Sequence, residues 1–301
     1  MPNASALETE PVPTETPPSE EPTASDATAR VTTVIRPRRG WQPVNLADIW
    51  RFRELLLFLI WRDVKVRYKQ TVLGGAWAII QPVMTMIVFT IFFGRFGGMA
   101  QHVPVPYPVF AYAGLLAWTY FATTISQAGN SLVSSSNLIS KVYFPRLIIP
   151  LSAAGVGLVD LAIATGLMFV LLAWYGVALS WQLLLLPLFL ALLVMAAVGV
   201  GTLLAALVIA YRDFRYVLGF LVQLWMFASP LAYPLEVVPE QWRLFYAINP
   251  MVGVIHGFCG ALVGTPLQWD VIGVSTASAT VALVTGLFYF RRVERRFADI
   301  V

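Results

Sequence analysis

The sequence predicts an all-α membrane protein with six transmembrane helices, an N-terminal amphipathic interface helix and a re-entrant outer hairpin between spans five and six. Of the 301 residues 58% are hydrophobic and only 12% are charged, and the apolar residues cluster in long runs. Soluble domains usually carry about 25% charged residues, and roughly 20 apolar residues cross a bilayer. A large soluble core is the competing interpretation, but core helices rarely remain apolar on every face over such lengths.

Residues 1–36 are predicted to form a disordered, acidic and proline-rich tail. From residue 2 to residue 29 the chain carries six acidic residues, six prolines and no basic residue. A segment of this composition buries too little apolar surface to offset the entropy lost on ordering. Its six negative charges mask the character of the remainder, because the whole chain has a net charge of +4 and the chain without them has +10.

Residues 45–70 are predicted to form an amphipathic helix along the cytoplasmic membrane surface. Asn45 is the candidate N-cap, and Trp50 and Trp61 suit a membrane interface. Arg51, Arg62, Lys65 and Lys69 fall within a narrow arc when the sequence is plotted with helical periodicity. Anchoring to anionic membrane lipids is one interpretation, and guidance of an anionic lipid-linked substrate is the other. The candidate residues for that contact are Arg62, Lys65, Arg67 and Lys69.

The transmembrane domain is predicted to occupy residues 72–290. A further apolar run, Met251–Thr265, is too short to span comfortably. Because Asn249-Pro250 and Gly264 bound this run, it is predicted to be a re-entrant hairpin or a folded interfacial loop. The six predicted spans are Val72–Gly94, Pro108–Gly129, Pro150–Trp174, Gln182–Ala210, Val217–Leu235 and Val271–Phe290.

The basic residues predict the orientation. With a cytoplasmic N terminus, 18 of the 20 Lys and Arg residues lie in cytoplasmic segments, and only Arg95 and Arg243 lie outside. This distribution satisfies the positive-inside rule. Counting the seventh apolar run as a span would place Arg291–Arg296 outside, which argues against it. Residues 291–301 are therefore predicted to be a cytoplasmic C-terminal segment.

The sequence indicates no catalytic residue and no metal site. Cys259 is the only cysteine, so an internal disulfide is impossible, and the only histidines, His102 and His256, lie far apart in sequence. No G-x-x-x-x-G-K-[ST] nucleotide loop occurs. A membrane glycosyl- or acyltransferase is an alternative, but it needs a cluster of Asp, Glu or His. The outer face offers only Glu236, Glu240, Asp270 and His102, without motif spacing.

Two polar residues, Gln81 and Asp160, lie inside predicted spans. A charge there costs about 3 kcal/mol or more, so Asp160 should face protein or water, or be protonated. Proton coupling is one explanation; a hydrogen bond across a helix interface is the other, favoured by Gly155, Gly157 and Gly166 nearby. A secondary transporter often shows inverted repeats or several intramembrane charges, and neither is evident here.

Aromatic residues crowd the second predicted span. Packing and membrane-interface belts are the general explanation, and the lining of a sugar conduit is a second one. The residues are Tyr107, Phe110, Tyr112, Trp118, Tyr120 and Phe121.

Three stretches are more specific than hydropathy. Trp61–Gly74 turns a basic surface helix directly into a span that contains Gln81-Pro82. Ser136–Arg146, between spans two and three, combines an Asn or Ser cap, a short helix and a proline stop. Glu294–Asp299 lies at the carboxyl end. Weaker stretches of the same kind are Tyr211-Arg212-Asp213, Ser229–Pro234 and Asn249–Met251.

With these motifs, the chain from about Trp41 to its end resembles the membrane subunits of bacterial ABC exporters of the type-2 permease class. The closest subgroup exports O-antigen, capsular polysaccharide or teichoic acid. The resemblance implies an inner-membrane homodimer that moves a lipid-linked polysaccharide and binds no cofactor or nucleic acid. ATP and Mg are then used by two cytoplasmic ATPase subunits. Export of another lipid or drug-like substrate is the alternative within this class.

The resemblance also implies which residues contact the ATPase. Simple positive-inside charge is the competing explanation for Lys141 and Arg146. One departure from the family pattern is Cys259, where an arginine is expected, so the outer hairpin, which the family uses as a gate, can differ in pairing or substrate contact. The candidate ATPase contacts are Ser136, Asn137, Lys141, Tyr143, Phe144, Pro145, Arg146, Arg212 and Asp213.

Overall fold

The computed structural model describes residues 46–69, 76–211 and 213–294, and these residues form helices and connecting loops without a β-strand. The predicted tail at 1–36, the predicted cap Asn45, residues 70–75, Arg212 and residues 295–301 lie outside the described residues. The all-helical fold class is therefore confirmed for the part of the chain that the structure describes.

The described residues contain eleven α-helices. The third continues as a π-helix over Thr90–Phe96, and a 3₁₀ turn at Trp181–Leu185 leads into the seventh. In chain order they are α1 Leu46–Arg51, α2 Arg53–Lys69, α3 Trp77–Phe89, α4 Tyr107–Ser134, α5 Ser136–Lys141, α6 Ile148–Trp174, α7 Leu186–Ala210, α8 Phe214–Phe227, α9 Glu240–Tyr246, α10 Pro250–Val263 and α11 Trp269–Glu294.

Five of the described helical segments are long and apolar enough to cross a membrane, and a sixth is added if the bent pair α9 and α10 counts as one span. Four predicted spans, the second, third, fourth and sixth, each coincide with one long helix: α4, α6, α7 and α11. The first corresponds to α3 with its π-helical extension, Trp77–Phe96.

The fifth predicted span, Val217–Leu235, does not form one helix. α8 ends at Phe227 and contains 14 residues, which at 1.5 Å per residue is about 21 Å, short of the roughly 30 Å hydrocarbon core. Pro230 follows, and its ring nitrogen has no hydrogen to continue the helical bonding. Asn249 instead satisfies this helix end, because its Nδ2 donates to the Ala228 carbonyl at 2.8 Å.

α4 lies at the centre of the bundle and packs against α3, α6, α7, α8 and α10. The six aromatic residues that crowd α4 are all buried, and each exposes at most 7% of its surface. Three of its tyrosine hydroxyls donate to carbonyls of neighbouring segments: Tyr107 to Ala232 at 2.7 Å, Tyr112 to Ala164 at 3.0 Å and Tyr120 to Ala154 at 3.3 Å. These aromatics therefore pack the core. Tyr120 also lines a cavity beside α6, and the conduit interpretation stays a prediction.

The predicted hairpin at Asn249–Thr265 is a helix. Every residue of α10 is buried, and α10 makes an angle of 110° with α9. Asn249 caps it by accepting the Met251 N–H at 3.0 Å, and Gly264 ends it with a φ of 79°. The run is therefore helical, and its placement as a re-entrant element or at the membrane interface stays a prediction. Cys259, at the position where the family pattern has an arginine, is buried in this interior and faces Gly114 of α4.

α7 and α11 cross closely because glycine faces backbone at their contact. A Cβ at Gly286 would lie 2.3 Å from the Gly199 carbonyl oxygen, and a Cβ at Gly199 would lie 2.6 Å from the Leu283 nitrogen. Small residues permit such close approach of membrane helices. The crossing fixes α11, which brings the end of the described chain beside the start of α6.

We expect Gly286→Ala to lower the free energy of unfolding by about 1–3 kcal/mol, because the added methyl group overlaps backbone that cannot rotate away. Gly273→Ala on the same helix is the matched control, since a Cβ there meets nothing within 4 Å. That control should be neutral or stabilise by up to about 1 kcal/mol through helix propensity. Thermal unfolding of the purified protein in detergent measures both, and equal shifts would contradict the proposed crossing.

Candidate functional site

The predicted interface helix forms two consecutive helices, α1 and α2, and α2 packs along α6. Leu59 is buried, and Ile60 lies over Gly155, where an added Cβ would be 2.3 Å from the isoleucine Cδ1. Of the other glycines expected to permit close approach, Gly157 faces Tyr120 and Thr124 of α4, whereas Gly166 has nothing within 4 Å. One face of α2 is therefore committed to the bundle.

Asp160 joins α6 to the end of α2. Its Oδ2 forms an ion pair with Nη1 of Arg67, and its Oδ1 accepts a hydrogen bond from the Tyr68 hydroxyl. Burial raises the pKa of the Tyr68 hydroxyl, and Asp160 adds to the rise, so Tyr68 remains a protonated donor. Two explanations were open for an acid in this span. The structure supports the second one, a hydrogen bond across a helix interface.

The other predicted basic residues of α2 remain at its surface. Arg62 pairs with its neighbour Asp63 at 2.8 Å, and the Lys65 ammonium lies 4.5 Å from the centre of the Trp61 ring. Lys69 is exposed. Only Arg67 of the four candidates is thus brought into contact with α6. Tyr68 was not singled out from the sequence; the signal for it was that an acid inside a span requires partners.

Two adjoining cavities lie beside this cluster, and we call them together the polar cleft. One has a volume of about 270 Å³ and is lined by Arg67, Tyr68, Asp160 and Gln81 among others. The second has about 550 Å³ and is lined by Arg62, Arg67 and polar residues of α4. Arg67 and Gln127 line both cavities. The cleft thus extends between α2, α3, α4 and α6, and Arg67 stands where its two parts meet.

The segment Ser136–Arg146 forms the short helix α5 and a turn where α4 ends and α6 begins. Its side chains divide into two groups. Tyr143 is 96% exposed, and Asn137 and Lys141 are also exposed. Phe144 is only 5% exposed and packs in a core cluster with Leu59, which belongs to α2. The exposed group is accessible to a partner protein, and the buried residue anchors the segment.

Arg146 binds the end of α11. Its Nη1 donates to the Glu294 carbonyl at 2.9 Å, and its backbone N–H donates to Glu294 Oε1 at 3.3 Å. Glu294 Oε2 also lies 3.6 Å from Nη1 of Arg291. Phe144 and Arg146 therefore anchor the segment inside the protomer, and their predicted contact with a partner stays a prediction. Glu294 belongs to a motif noted in the sequence, but its partner was not apparent there.

The remaining predicted contact residues are divided in the same way. Ser136 and Pro145 are half-buried, and Asp213 is exposed immediately before α8. Arg212 lies outside the described residues. The structure thus brings Asn137, Lys141 and Tyr143 together on one short segment and leaves Asp213 on a separate loop.

α8 and α9 present large apolar side chains to the outside of the protomer. Only Leu218 of α8 is buried, whereas Tyr216 is 85% exposed, Phe220 65% and, on α9, Phe245 68%. An apolar groove of about 860 Å³ lies between these helices and α4. Large exposed apolar side chains that lie together suit contact with lipid or with another protein surface.

The described residues contain no group of three His, Cys, Asp or Glu side chains that could hold a metal ion. His256 is buried in α10, and its Nε2 accepts the Gln268 backbone N–H at 3.1 Å. It therefore acts as a structural acceptor that holds the loop between α10 and α11.

Comparison with known proteins gives consistent results over most of the chain. The model of the ABC-2 type transporter family matches residues 54–263, from α2 to the end of α10. The chain is similar to the O-antigen export system permease protein RfbA of Myxococcus xanthus, with 30% identity over 213 residues, or 70% of this chain and 81% of that protein. The RfbA protein of Klebsiella pneumoniae is 26% identical over 82% of this chain and 95% of its own length. The polysialic acid transport protein KpsM of Escherichia coli is 24% identical over 66% of this chain and 77% of its own.

We expect Phe144→Ala to lower the free energy of unfolding by about 3–5 kcal/mol, because a buried aromatic ring is removed from a packed cluster. Tyr143→Ala, one position earlier and exposed, should change it by less than about 0.5 kcal/mol. Thermal unfolding in detergent, monitored through tryptophan fluorescence, compares the two variants. A similar loss in both would show that the division between exposed and anchoring side chains is wrong.

Proposed function

Because the chain belongs to the ABC-2 type transporter family, we propose that it is the membrane-spanning permease subunit of an ATP-driven exporter. Its substrate is a lipid-linked polysaccharide that crosses the bacterial inner membrane. The observation that carries this proposal is the similarity to O-antigen and polysialic acid permeases along 66–82% of the chain. ATP and Mg are used by a separate ATPase, because this chain has no nucleotide-binding loop of its own.

The end of the bundle that carries α5 faces the cytoplasm in this proposal. The basic residues of α2, α5 and the end of α11 support that orientation, since the positive-inside rule places Lys and Arg there. Lys141, Arg291 and Arg292 are examples at the ends of α5 and α11. The two chain termini are then cytoplasmic, and the loop that follows α10 lies on the opposite side.

The ATPase docks on the exposed side of α5. Asn137, Lys141 and Tyr143 are its contact residues, and Lys141 can pair with an acidic partner side chain. Phe144 and the bonds from Arg146 to Glu294 tie the same segment to α2 and α11. A displacement of α5 by the partner is thereby transmitted to several helices at once, instead of being lost in a flexible loop.

A second copy of this chain covers the apolar face formed by α8 and α9. In support, α8 is short for a lipid-facing span and has a single buried residue, and the groove beside it is large and apolar. Two such faces placed together enclose a space between two protomers, which is the conduit for the glycan. The bent pair α9 and α10 serves as a re-entrant gate at its outer mouth.

The lipid-linked substrate approaches from the inner leaflet along α2. Arg62, Lys65 and Lys69 attract the anionic headgroup at the membrane surface, and the polar cleft receives it between α2, α4 and α6. ATP-driven movement of α5 then advances the glycan. Arg67 differs from the other three because Asp160 already holds it.

Deletion of the gene in its source organism should abolish the surface polysaccharide and trap lipid-linked glycan inside the cell. Immunoblotting of surface glycan and mass spectrometry of extracted lipids measure both quantities and identify the sugar. Restoration by the wild-type gene on a plasmid is the control. Unchanged surface glycan in a strain without a second exporter would contradict the polysaccharide assignment and favour another lipid or drug-like substrate.

Tyr143→Ala should lower export tenfold or more while the partner ATPase continues to hydrolyse ATP. The physical reason is that the substitution removes an exposed contact without touching the anchoring residues beneath it. Trp174→Ala is the control, because Trp174 is also a highly exposed aromatic residue, 83% exposed, and lies at the far end of α6 from Tyr143. Export at the wild-type level in the Tyr143→Ala variant would contradict docking at this segment.

A further inference from the structure

A row of polar side chains runs along α4 on the wall of the polar cleft. Its members are spaced four residues apart, so they are neighbours on the helix surface and together span about 18 Å. α4 is long and apolar enough to cross a membrane, and polar side chains in such helices usually face protein or a water-filled cavity. All members line the cleft, and we call them the polar row: Thr119, Thr123, Gln127 and Ser131.

Two hydroxyl groups of the polar row use their hydrogens within α4. Thr123 Oγ1 donates to the Thr119 carbonyl at 2.7 Å, and Ser131 Oγ donates to the Ala128 carbonyl at 2.6 Å. Both side chains belong to partly exposed residues. A hydroxyl oxygen that has donated its hydrogen still has lone pairs that accept hydrogen bonds. These two oxygens therefore offer acceptors to a molecule in the cleft.

Gln127 occupies the middle of the polar row and lines both cavities of the cleft. It is partly exposed, and its side chain forms no hydrogen bond to another residue within the part of the chain that the structure describes. Its amide carries two N–H donors and an acceptor oxygen. Leaving such a group unsatisfied in an apolar environment is costly, so the cleft requires a polar molecule beside Gln127.

The charged side chains that line the cleft are paired with one another. Arg62 pairs with Asp63 at 2.8 Å, and Arg67 forms an ion pair with Asp160. The lining therefore carries two positive and two negative side chains, and the polar row adds only uncharged groups. An uncharged ligand that offers both O–H donors and oxygen acceptors fits this lining, and a sugar ring is such a ligand.

We propose that the polar row of α4 binds the sugar part of the lipid-linked substrate. The Gln127 amide donates to sugar oxygens, and the Thr123 and Ser131 oxygens accept sugar O–H groups. The headgroup then lies on the α2 side of the cleft and the adjoining sugar on the α4 side. This inference rests on the proposed function, since it names the part of the same substrate that α4 recognises.

The test compares two ligands on the purified full chain in phosphatidylcholine nanodiscs. One is the mixture of lipid-linked glycans extracted from the source bacterium, and the other is synthetic polyprenyl pyrophosphate without a sugar. Gln127→Met keeps the length of the side chain and removes its amide. This variant should bind the glycan-bearing lipids about tenfold more weakly and the bare lipid as tightly as the wild type does, as measured by native mass spectrometry of the bound lipid.

Gln101→Met is the matched control, because Gln101 is exposed and does not line the cleft. It should bind both ligands like the wild-type protein. A purely structural role for Gln127 would weaken binding of both ligands equally, and that result would overturn the inference. Failure of the wild-type protein to bind the glycan-bearing lipids more tightly than the bare lipid would overturn it as well.

Thr123→Val keeps the inference testable if Gln127→Met does not insert into the membrane. The substitution preserves the branched shape and removes the hydroxyl oxygen, so it should weaken binding of the glycan-bearing lipids about fivefold, as expected for one lost hydrogen bond. Binding of the bare lipid should not change. Wild-type affinity of this variant for the glycan-bearing lipids would contradict a sugar site on the polar row.

Competition separates a sugar from a phospholipid, since a glycerol headgroup also offers hydroxyl groups. A tenfold excess of phosphatidylglycerol should leave the glycan-bearing lipids bound, and their displacement would overturn the assignment to a sugar.

The gene-deletion experiment distinguishes the two levels of the argument. If Gln127→Met binds the glycan-bearing lipids normally while deletion still abolishes the surface polysaccharide, the sugar site is refuted and the proposed function stands. Unchanged surface glycan after deletion refutes the proposed function itself.

Discussion

The burial of most of α4 among its neighbouring helices is the constraint on which the arrangement of the other helices depends. A hydroxyl in its buried part cannot bind water, so each of its tyrosine hydroxyls must find a carbonyl on a neighbouring segment. Tyr112 and Tyr120 find theirs on α6, and Tyr107 finds its partner at Ala232 beyond α8. These three bonds, together with apolar packing, fix the depth and rotation of the surrounding helices relative to α4.

Polar groups elsewhere in the bundle serve the same purpose at the points where chain segments meet. Asn249 is one example, because it caps α10 and binds Trp225 Nε1 and the carbonyl at the end of α8. Arg146 is another, because it joins the segment after α5 to the end of α11. Each residue binds several groups at once, and this explains how short helices such as α5 and α8 hold definite positions beside long ones.

The two charged contacts have different consequences for transport. Arg146 and Glu294 lie at the proposed cytoplasmic end, where their bonds stiffen the surface proposed for ATPase docking. Arg67 and Asp160 lie along the path proposed for the substrate, and their side chains are 32% and 21% exposed.

The sequence by itself determined the features that depend on local composition and periodicity. Long apolar runs predicted α4, α6, α7 and α11, and an acid inside a span demanded a partner for Asp160. The identity of that partner, Arg67, depended on the packing of Ile60 against Gly155, which brings the end of α2 to the middle of α6. Hydropathy likewise predicted that the fifth span extends to Leu235, whereas the helix ends at Phe227. Pro230 has no N–H to continue the helical bonding, and Asn249 donates to the carbonyl at the helix end instead. Only the tertiary structure distinguished exposed Tyr143 from buried Phe144, since neighbouring aromatics are equivalent in composition and differ only in what packs over them.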